Sequence, residues 1–239
     1  MIKIETHSHS AGGSRCGTVT SEQLIEEYLK AGYGGVVLTN HYCRSYYSKY
    51  PGQTHKEKIK FYLSLRDDLQ EKAKKFNFKV FTGAEIRVVT PLDTYSEFMI
   101  YGFDDSLLYD NKPLFELTQK ELFELSEKNN LFMYQTHPFR NGVMTGNPKY
   151  MHGAEAFNGH FHHLNSNEFA TTFCESNNLV KMSGTDYHDY LQPINAGIYI
   201  PKEINTNAGL AEFLRKGKFD IIQGKKVYEE GYKKRHNKG

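Results

Sequence analysis

Gly35-Val36-Val37-Leu38-Thr39-Asn40-His41 is a short apolar run that stops at three polar side chains. A strand with apolar residues at successive positions is buried on both faces, the mark of a parallel sheet covered by helices. This one delivers a histidine at its end. Upstream, residues 2–6 read as a strand running into His7-Ser8-His9, whose two imidazoles share a face by pleat alone. Downstream, strands at 79–84, 131–134, 153–157 and 179–182 run into Glu85, Thr136-His137, Asn158-Gly159 and Gly184-Thr185-Asp186-Tyr187-His188.

Helical segments separate most of these strands. Thr20-Ser21-Glu22-Gln23 has the form of a capping box, and Leu24, Ile25, Tyr28 and Leu29 follow at helical spacing until Gly32. A long helix is expected over 55–76, one from Thr118 to about Lys128, one over 167–176 and one from Thr206 to about Lys216. A strand at 98–101 and an edge-like eighth strand at 198–200 complete the series. Strands alternating with helices favour parallel pairing with right-handed crossovers. Seven or eight such units in 239 residues favour a closed barrel in one domain spanning 1–239, an open sheet being the alternative.

Bulk properties narrow the function. A formal charge of +2 is too weak to imply long nucleic acid. The basic cluster Lys233-Lys234-Arg235-His236 reads as a solvated tail. No apolar run is long enough for a transmembrane helix, and Met1-Ile2-Lys3 leads into polar residues rather than a signal-peptide core. Cys16, Cys43 and Cys174 are odd in number and lack C-x-x-C spacing, which fits a reducing cytoplasm.

In a parallel barrel all strand C-terminal ends meet at one face. His7, His9, His41, Glu85, His137, Asp186 and His188 are therefore expected to converge. Each has a plainer reading alone: His41 as a half-buried histidine, Asp186 as a helix cap. Glu85 is harder to dismiss, because a buried carboxylate needs a partner. Together they exceed the needs of one ion, and imidazole with carboxylate suits zinc, manganese or iron. Paired ions are a common clamp for phosphoryl hydrolysis: water between them loses a proton near neutral pH, and the hydroxide attacks phosphorus in line. Arg140 is the first choice for a bidentate phosphate clamp, and Arg44 and Arg87 are weaker ones. His160 and His163 are placed on the leaving-group side, with a polar loop surface as the alternative. His55 and His236 read as solvated.

Six ordered motifs resemble the PHP (polymerase and histidinol phosphatase) superfamily: His7-Ser8-His9, Leu38-Thr39-Asn40-His41, Gly83-Ala84-Glu85, Thr136-His137-Pro138-Phe139-Arg140, Glu155-Ala156-Phe157-Asn158-Gly159 and Ser183-Gly184-Thr185-Asp186-Tyr187-His188. The resemblance implies a distorted (β/α)7 TIM-like barrel with two or three divalent ions at the strand C-terminal ends. It implies a stand-alone bacterial phosphoesterase, histidinol-phosphatase-like, acting on a small phosphomonoester. A nucleotide phosphodiester, or a metal-poor binding module, is the alternative. By position, His7, His9, Glu85 and Asp186 resemble ligands of a first ion, Glu85 and His137 of a second, and His41 and His188 of a third. Glu85, Asp186 and Arg140 form the expected catalytic set. The sequence departs from the family pattern at Asn40, where Asp is common, and in strand 98–101, which lacks a histidine. It departs again after His9, where Arg15 and Cys16 stand near the place of another ligand. Arg15 is a solvated loop residue or a substrate-facing guanidinium; Cys16 is a plain thiol or a thiolate ligand.

Overall fold

The computed structural model describes residues 1–90, 93–190 and 192–224. In chain order the elements are β1 (Ile2–Ser8), α1 (Ser21–Lys30), β2 (Gly35–Leu38), β3 (His41–Tyr42), α2 (Arg44–Tyr47), α3 (His55–Ala73) and β4 (Lys79–Val89). There follow β5 (Tyr95–Tyr101), α4 (Ser106–Tyr109), α5 (Gln119–Lys128), β6 (Phe132–Gln135), β7 (Gly153–Asn158), α6 (Asn167–Ser176), β8 (Val180–Gly184), β9 (Ala196–Ile200), α7 (Asn207–Arg215) and β10 (Ile221–Gln223). Local chemistry starts the helices where the caps predict. Thr20, Thr54 and Thr118 each accept from the backbone three residues on, while Gln23, Glu57 and Glu121 reach back to the cap.

The strands form one sheet in the order β10-β9-β1-β2-β4-β5-β6-β7-β8, with the short β3 also paired to β4. The sheet nearly closes into a TIM-like barrel. Beyond β8, Tyr187 pairs with Ser8 of β1: His9 N–H donates to Tyr187 O at 2.9 Å, and Tyr187 N–H to His7 O at 3.1 Å. Lower down, β9 pairs with β1 and β10 with β9, and the Ser183 hydroxyl of β8 donates to Ile222 O of β10.

Parallel pairing holds for β1–β2, β2–β4, β6–β7 and β7–β8. It fails at β5, which is antiparallel to both β4 and β6. Both flanking strands extend beyond the expected limits, so only residues 90–94 join β4 to β5. Thr90 N–H donates to Thr94 O at 2.7 Å, and a link of this length is too short for a crossover helix. The expected edge strand at 198–200 is also different: β9 lies between β1 and β10 and runs antiparallel to both. The tail cluster 233–236 lies outside the described residues.

Inside the barrel, Ile4, Val37, Phe81, Met99, Tyr101, Phe132, Tyr134 and Met182 pack into a fully buried core, joined by Leu210, Ala211 and Leu214 of α7. Above this floor the buried side chains become polar. The Tyr101 hydroxyl donates to Thr6 O and also meets the Tyr134 hydroxyl at 2.8 Å, marking the boundary between the apolar core and the polar rim.

Candidate metal centre

Glu85 leaves β4 at the barrel mouth and is 1% exposed. Its Oε1 lies 3.2 Å from both His7 Nε2 and His137 Nε2. Its Oε2 lies 2.6 Å from His41 Nδ1 and 3.6 Å from His9 Nε2. Opposite stands Asp186, whose Oδ1 is 3.3 Å from His7 Nε2, 3.5 Å from His9 Nε2 and 3.2 Å from His188 Nδ1. All seven ligand types expected from the strand ends are thus brought to one place.

The backbone is shaped for this. His137 and Asp186 both adopt positive φ, 28° and 55°. Such a conformation costs a non-glycine residue on the order of 1 kcal/mol or more and persists only where neighbours enforce it. Here the His137 amide donates to Glu155 Oε2 at 2.9 Å, and the Asp186 carbonyl accepts from Gln192 Nε2 at 2.9 Å. Gly184, just before Asp186, packs so closely on β1 that a Cβ would stand 2.4 Å from the His7 Cβ. Only glycine lets β8 approach β1 here.

Hydrogen bonds set the imidazole tautomers. His7 Nδ1 donates to Glu155 Oε1 at 3.0 Å, and His188 Nδ1 donates to the Asp186 carbonyl at 2.9 Å. Each leaves Nε2 as the inward nitrogen, the usual arrangement for a metal-binding histidine. His188 Nε2 and His41 Nε2 face each other at 3.4 Å.

The donor set fits divalent cations. Nitrogens and oxygens of His9, His41 and His188 lie within 4.8 Å of one another; so do those of His7, His9 and Glu85; of His7, His137 and Asp186; of His160, Asp186 and His188; and of His41, Glu85 and Glu97. His7 Nε2, both ring nitrogens of His9 and His137 Nδ1 are buried without a hydrogen-bond partner. Buried polar atoms are nearly always paired, and a cation supplies what these lack.

Charge is unevenly held. Burial opposes ionisation of Glu85, yet His41 and His7 hold its carboxyl well below the usual range. Burial likewise opposes Asp186, which His7, Arg140 and His188 keep ionised. His9 goes the other way: burial, with His188 and His41 beside it, holds it neutral. His188, against burial, is pushed up to about 9 by Asp186. The Cys16 thiol, also against burial, is brought down to about 5 by hydrogen bonds to His188 and His41.

A cleft of about 360 Å³ opens over these residues, lined by Cys16, His41, Tyr46, Arg87, Tyr95, Glu97, Arg140, Asn141, His160, His162, His163, His188, Asp189 and Gln192. Arg140 is fixed on its wall: Nε donates to Asn165 Oδ1 at 2.8 Å, and Nη2 donates to Asn158 Oδ1 at 3.0 Å and to Asp186 Oδ2. His160 and His163 line the cleft, and burial pushes His163 down to about 4. Arg15 and Arg44 are not part of the lining. Arg44 pairs with Glu116 at 3.2 Å and lies over the Phe115 ring, which places it on the outer surface. His55, expected to be solvated, instead meets the Tyr47 hydroxyl at 2.7 Å and donates to Leu108 O at 2.8 Å.

Two carboxylates at the centre escaped the sequence reading. Glu97 comes from the start of β5, which reaches the mouth because that strand is reversed. Its Oε1 accepts from Arg87 Nε and Nη2 at 2.9 and 2.8 Å, and its Oε2 lies 3.6 Å from His137 Nε2. A carboxylate thus stands where strand 98–101 was noted to lack a histidine. Glu155 sits within β7 under His7 and His137; its place in the fifth motif was the available signal.

No family model matches the chain, and no curated protein matches it. Solved structures do. A two-domain protein from Bacteroides vulgatus, titled as containing a predicted PHP-like metal-dependent phosphoesterase, is 20% identical; the match covers 98% of this chain and 69% of that one, with a TM-score of 0.65. PsfC from Pseudomonas syringae is 12% identical over 99% of this chain and 98% of its own, with a TM-score of 0.63. An amidohydrolase from Chromobacterium violaceum, with bound sulfate and no metal, is 11% identical over 92% and 97%, with a TM-score of 0.54. The class defined by fold and site is a nearly closed barrel with a His/Glu/Asp cluster at its mouth. The chain shares its fold with the Bacteroides protein titled as containing a predicted PHP-like metal-dependent phosphoesterase.

Proposed function

We propose that this chain is a PHP-superfamily, metal-dependent phosphoesterase that hydrolyses a small phosphomonoester. The observation that carries the reading is Glu85: one buried carboxylate with four imidazoles within 3.6 Å, the outer limit being His9. A drifting or purely structural site has no reason to bury such a group beside unpartnered ring nitrogens. The fold likeness to a protein titled as containing a PHP-like phosphoesterase supports the same class.

In this reading His7, His9, Glu85 and Asp186 hold a first ion, Glu85 and His137 with Glu97 a second, and His41 and His188 a third. Zinc, manganese and iron suit the donors. Such ions, when bound, neutralise charge on phosphoryl oxygens and acidify water. The chain's own residues do the rest. Arg140, anchored through Nε and Nη2, offers Nη1 to a phosphate oxygen. Glu155 and the Asp186 carbonyl accept from Nδ1 of His7 and His188 and so turn Nε2 of each ring inward. His160 and His163, which burial holds neutral, flank the leaving-group side as hydrogen-bonding rings.

The cleft volume suits a small molecule rather than a polymer. The charge of +2 provides no broad footprint for a nucleic-acid backbone. None of the described helices is long and apolar enough to cross a membrane, and the cytoplasm remains the proposed location. Phosphate release from a panel of monoesters and diesters, run with manganese, zinc and iron in turn, tests the substrate class. Turnover of monoesters is expected; turnover of diesters alone would replace the monoester reading.

A further inference from the structure

The loop joining β1 to α1 carries the sulfur of Cys16 to the outer edge of the centre, and its path is built for that. Ala11 N–H donates to Val19 O at 2.8 Å, closing the loop at its base. Thr18 N–H and the Thr18 hydroxyl both donate to His188 O, at 2.9 and 3.2 Å, tying the segment two residues past Cys16 to the very residue that Cys16 faces. Gly17 presses on β1's continuation so closely that a Cβ would meet Ser10 O at 2.5 Å. The sulfur lines the same cleft as His41 and His188. Two hydroxyls approach it as well, Ser14 Oγ at 3.0 Å and Tyr46 at 3.7 Å, and the Tyr46 ring stacks on His41 at 5.5 Å.

A second observation points to a ligand at this spot. His9 is fully buried, neither of its ring nitrogens has a partner, and its ring lies 4.3 Å from that of His41 and 4.1 Å from that of His188. The neighbouring carboxylates do not pair His9: Asp186 Oδ1 and Glu85 Oε2 stand 3.5 and 3.6 Å from its Nε2, longer than a good hydrogen bond. A cation would satisfy them, and the Cys16 thiol lines the cleft above.

We propose that Cys16 donates its sulfur, as thiolate, to a metal seat formed with His41 and His188 beneath the cleft mouth, making that seat a nitrogen–sulfur site. Such a donor set prefers borderline-soft ions, with zinc, cobalt or ferrous iron favoured over manganese or magnesium. The buried seat around Glu85 and Asp186 has only nitrogen and oxygen donors. The chain therefore holds ions of different softness at its two ends. This rests on the metal-centre reading above and deepens it.

Cobalt(II) is the direct probe, because a cobalt–thiolate bond adds a near-ultraviolet charge-transfer band that nitrogen and oxygen ligands do not. Chelator-stripped protein is titrated with cobalt. The wild type should gain both this band and visible ligand-field absorption. Cys16→Ser should lose the band and one cobalt per chain, while keeping the visible absorption from the remaining ligands. Cys16 lies on an exposed loop, so the variant folds, and the buried Cys43 and Cys174 stay in place as internal controls. Visible absorption without the band in the wild type, or a Cys16→Ser spectrum identical to wild type, overturns the thiolate assignment and leaves the metal centre standing. No cobalt uptake by the wild type overturns both.

Discussion

Glu155 Oε1 accepts from His7 Nδ1 at 3.0 Å, with both side chains fully buried. The bond decides which nitrogen of His7 turns toward Glu85 and Asp186. The other oxygen of Glu155 accepts from the His137 amide at 2.9 Å and from Asn158 Nδ2 at 2.8 Å. One carboxylate thus orients two candidate ligands.

Glu155→Gln should weaken metal binding by about 10–100-fold, the usual cost of losing an outer partner of a ligand. An amide can still accept from His7, but its –NH2 then faces the His137 N–H and the Asn158 amide, three donors with no acceptor. Competition with a chromophoric chelator measures the affinity. Wild-type affinity would show that Glu155 does not orient the site.

Arg140→Lys should lower kcat/KM on the order of 10²-fold, as loss of one fixed donor to a reacting phosphoryl group does. A lysine cannot reproduce the fork that joins Asn165, Asn158 and Asp186 while leaving an edge for phosphate. Steady-state kinetics at saturating metal decide this. An unchanged kcat/KM removes Arg140 from substrate binding.

Asn40 accepts from the Ser10 amide at 2.8 Å and donates to Ser10 Oγ at 3.0 Å. It staples the loop after His9 to the end of β2. Asn40→Ala should cost about 1–3 kcal/mol, because the Ser10 amide is left buried and unpaired. Urea unfolding at fixed metal concentration reads the change; a midpoint equal to wild type contradicts it.

His152 provides a pH test away from the centre. Its Nδ1 accepts from Met133 N–H at 2.9 Å, tying it to β6. Burial, with Arg215 beside it, holds its pKa below the ordinary 6.5 despite the pull of Glu127. Below 6.5 the unfolded chain therefore binds a proton the folded chain resists. Its contribution to stability is complete above 6.5 and declines as pH falls through that value. His152→Asn keeps an acceptor for Met133 but cannot titrate. The wild type should lose more stability than this variant between one pH unit above that value and one unit below it, in paired thermal melts. Equal losses contradict the assignment.

Much of this was legible from strand ends. A buried parallel strand is a continuous apolar run, so β2, β4, β6, β7 and β8 announce themselves, and the rule that their C-terminal ends share a face brings His7, His9, His41, Glu85, His137, Asp186 and His188 together. Glu97 was hidden by the same rule. It precedes its strand's apolar run, and only the antiparallel pairing of β5 with β4 aims Glu97 at the centre. Glu155 was hidden because a carboxylate inside a strand looks like any other polar interruption until the side chain beneath it is known. Arg44 was misplaced because nearness to a strand end in sequence does not fix direction; Glu116 and Phe115 draw it outward.

The central claim is that the buried cluster around Glu85 and Asp186 is a multinuclear metal centre. Metal quantification on reconstituted protein, compared between wild type, His9→Ala and Asp186→Ala with phosphate release measured on the same samples, tests it most directly. Two or three divalent ions per folded wild-type chain, with both metal and activity lost together in each variant, is the predicted result. Fewer than two ions in the wild type, or full activity in either variant, would contradict it.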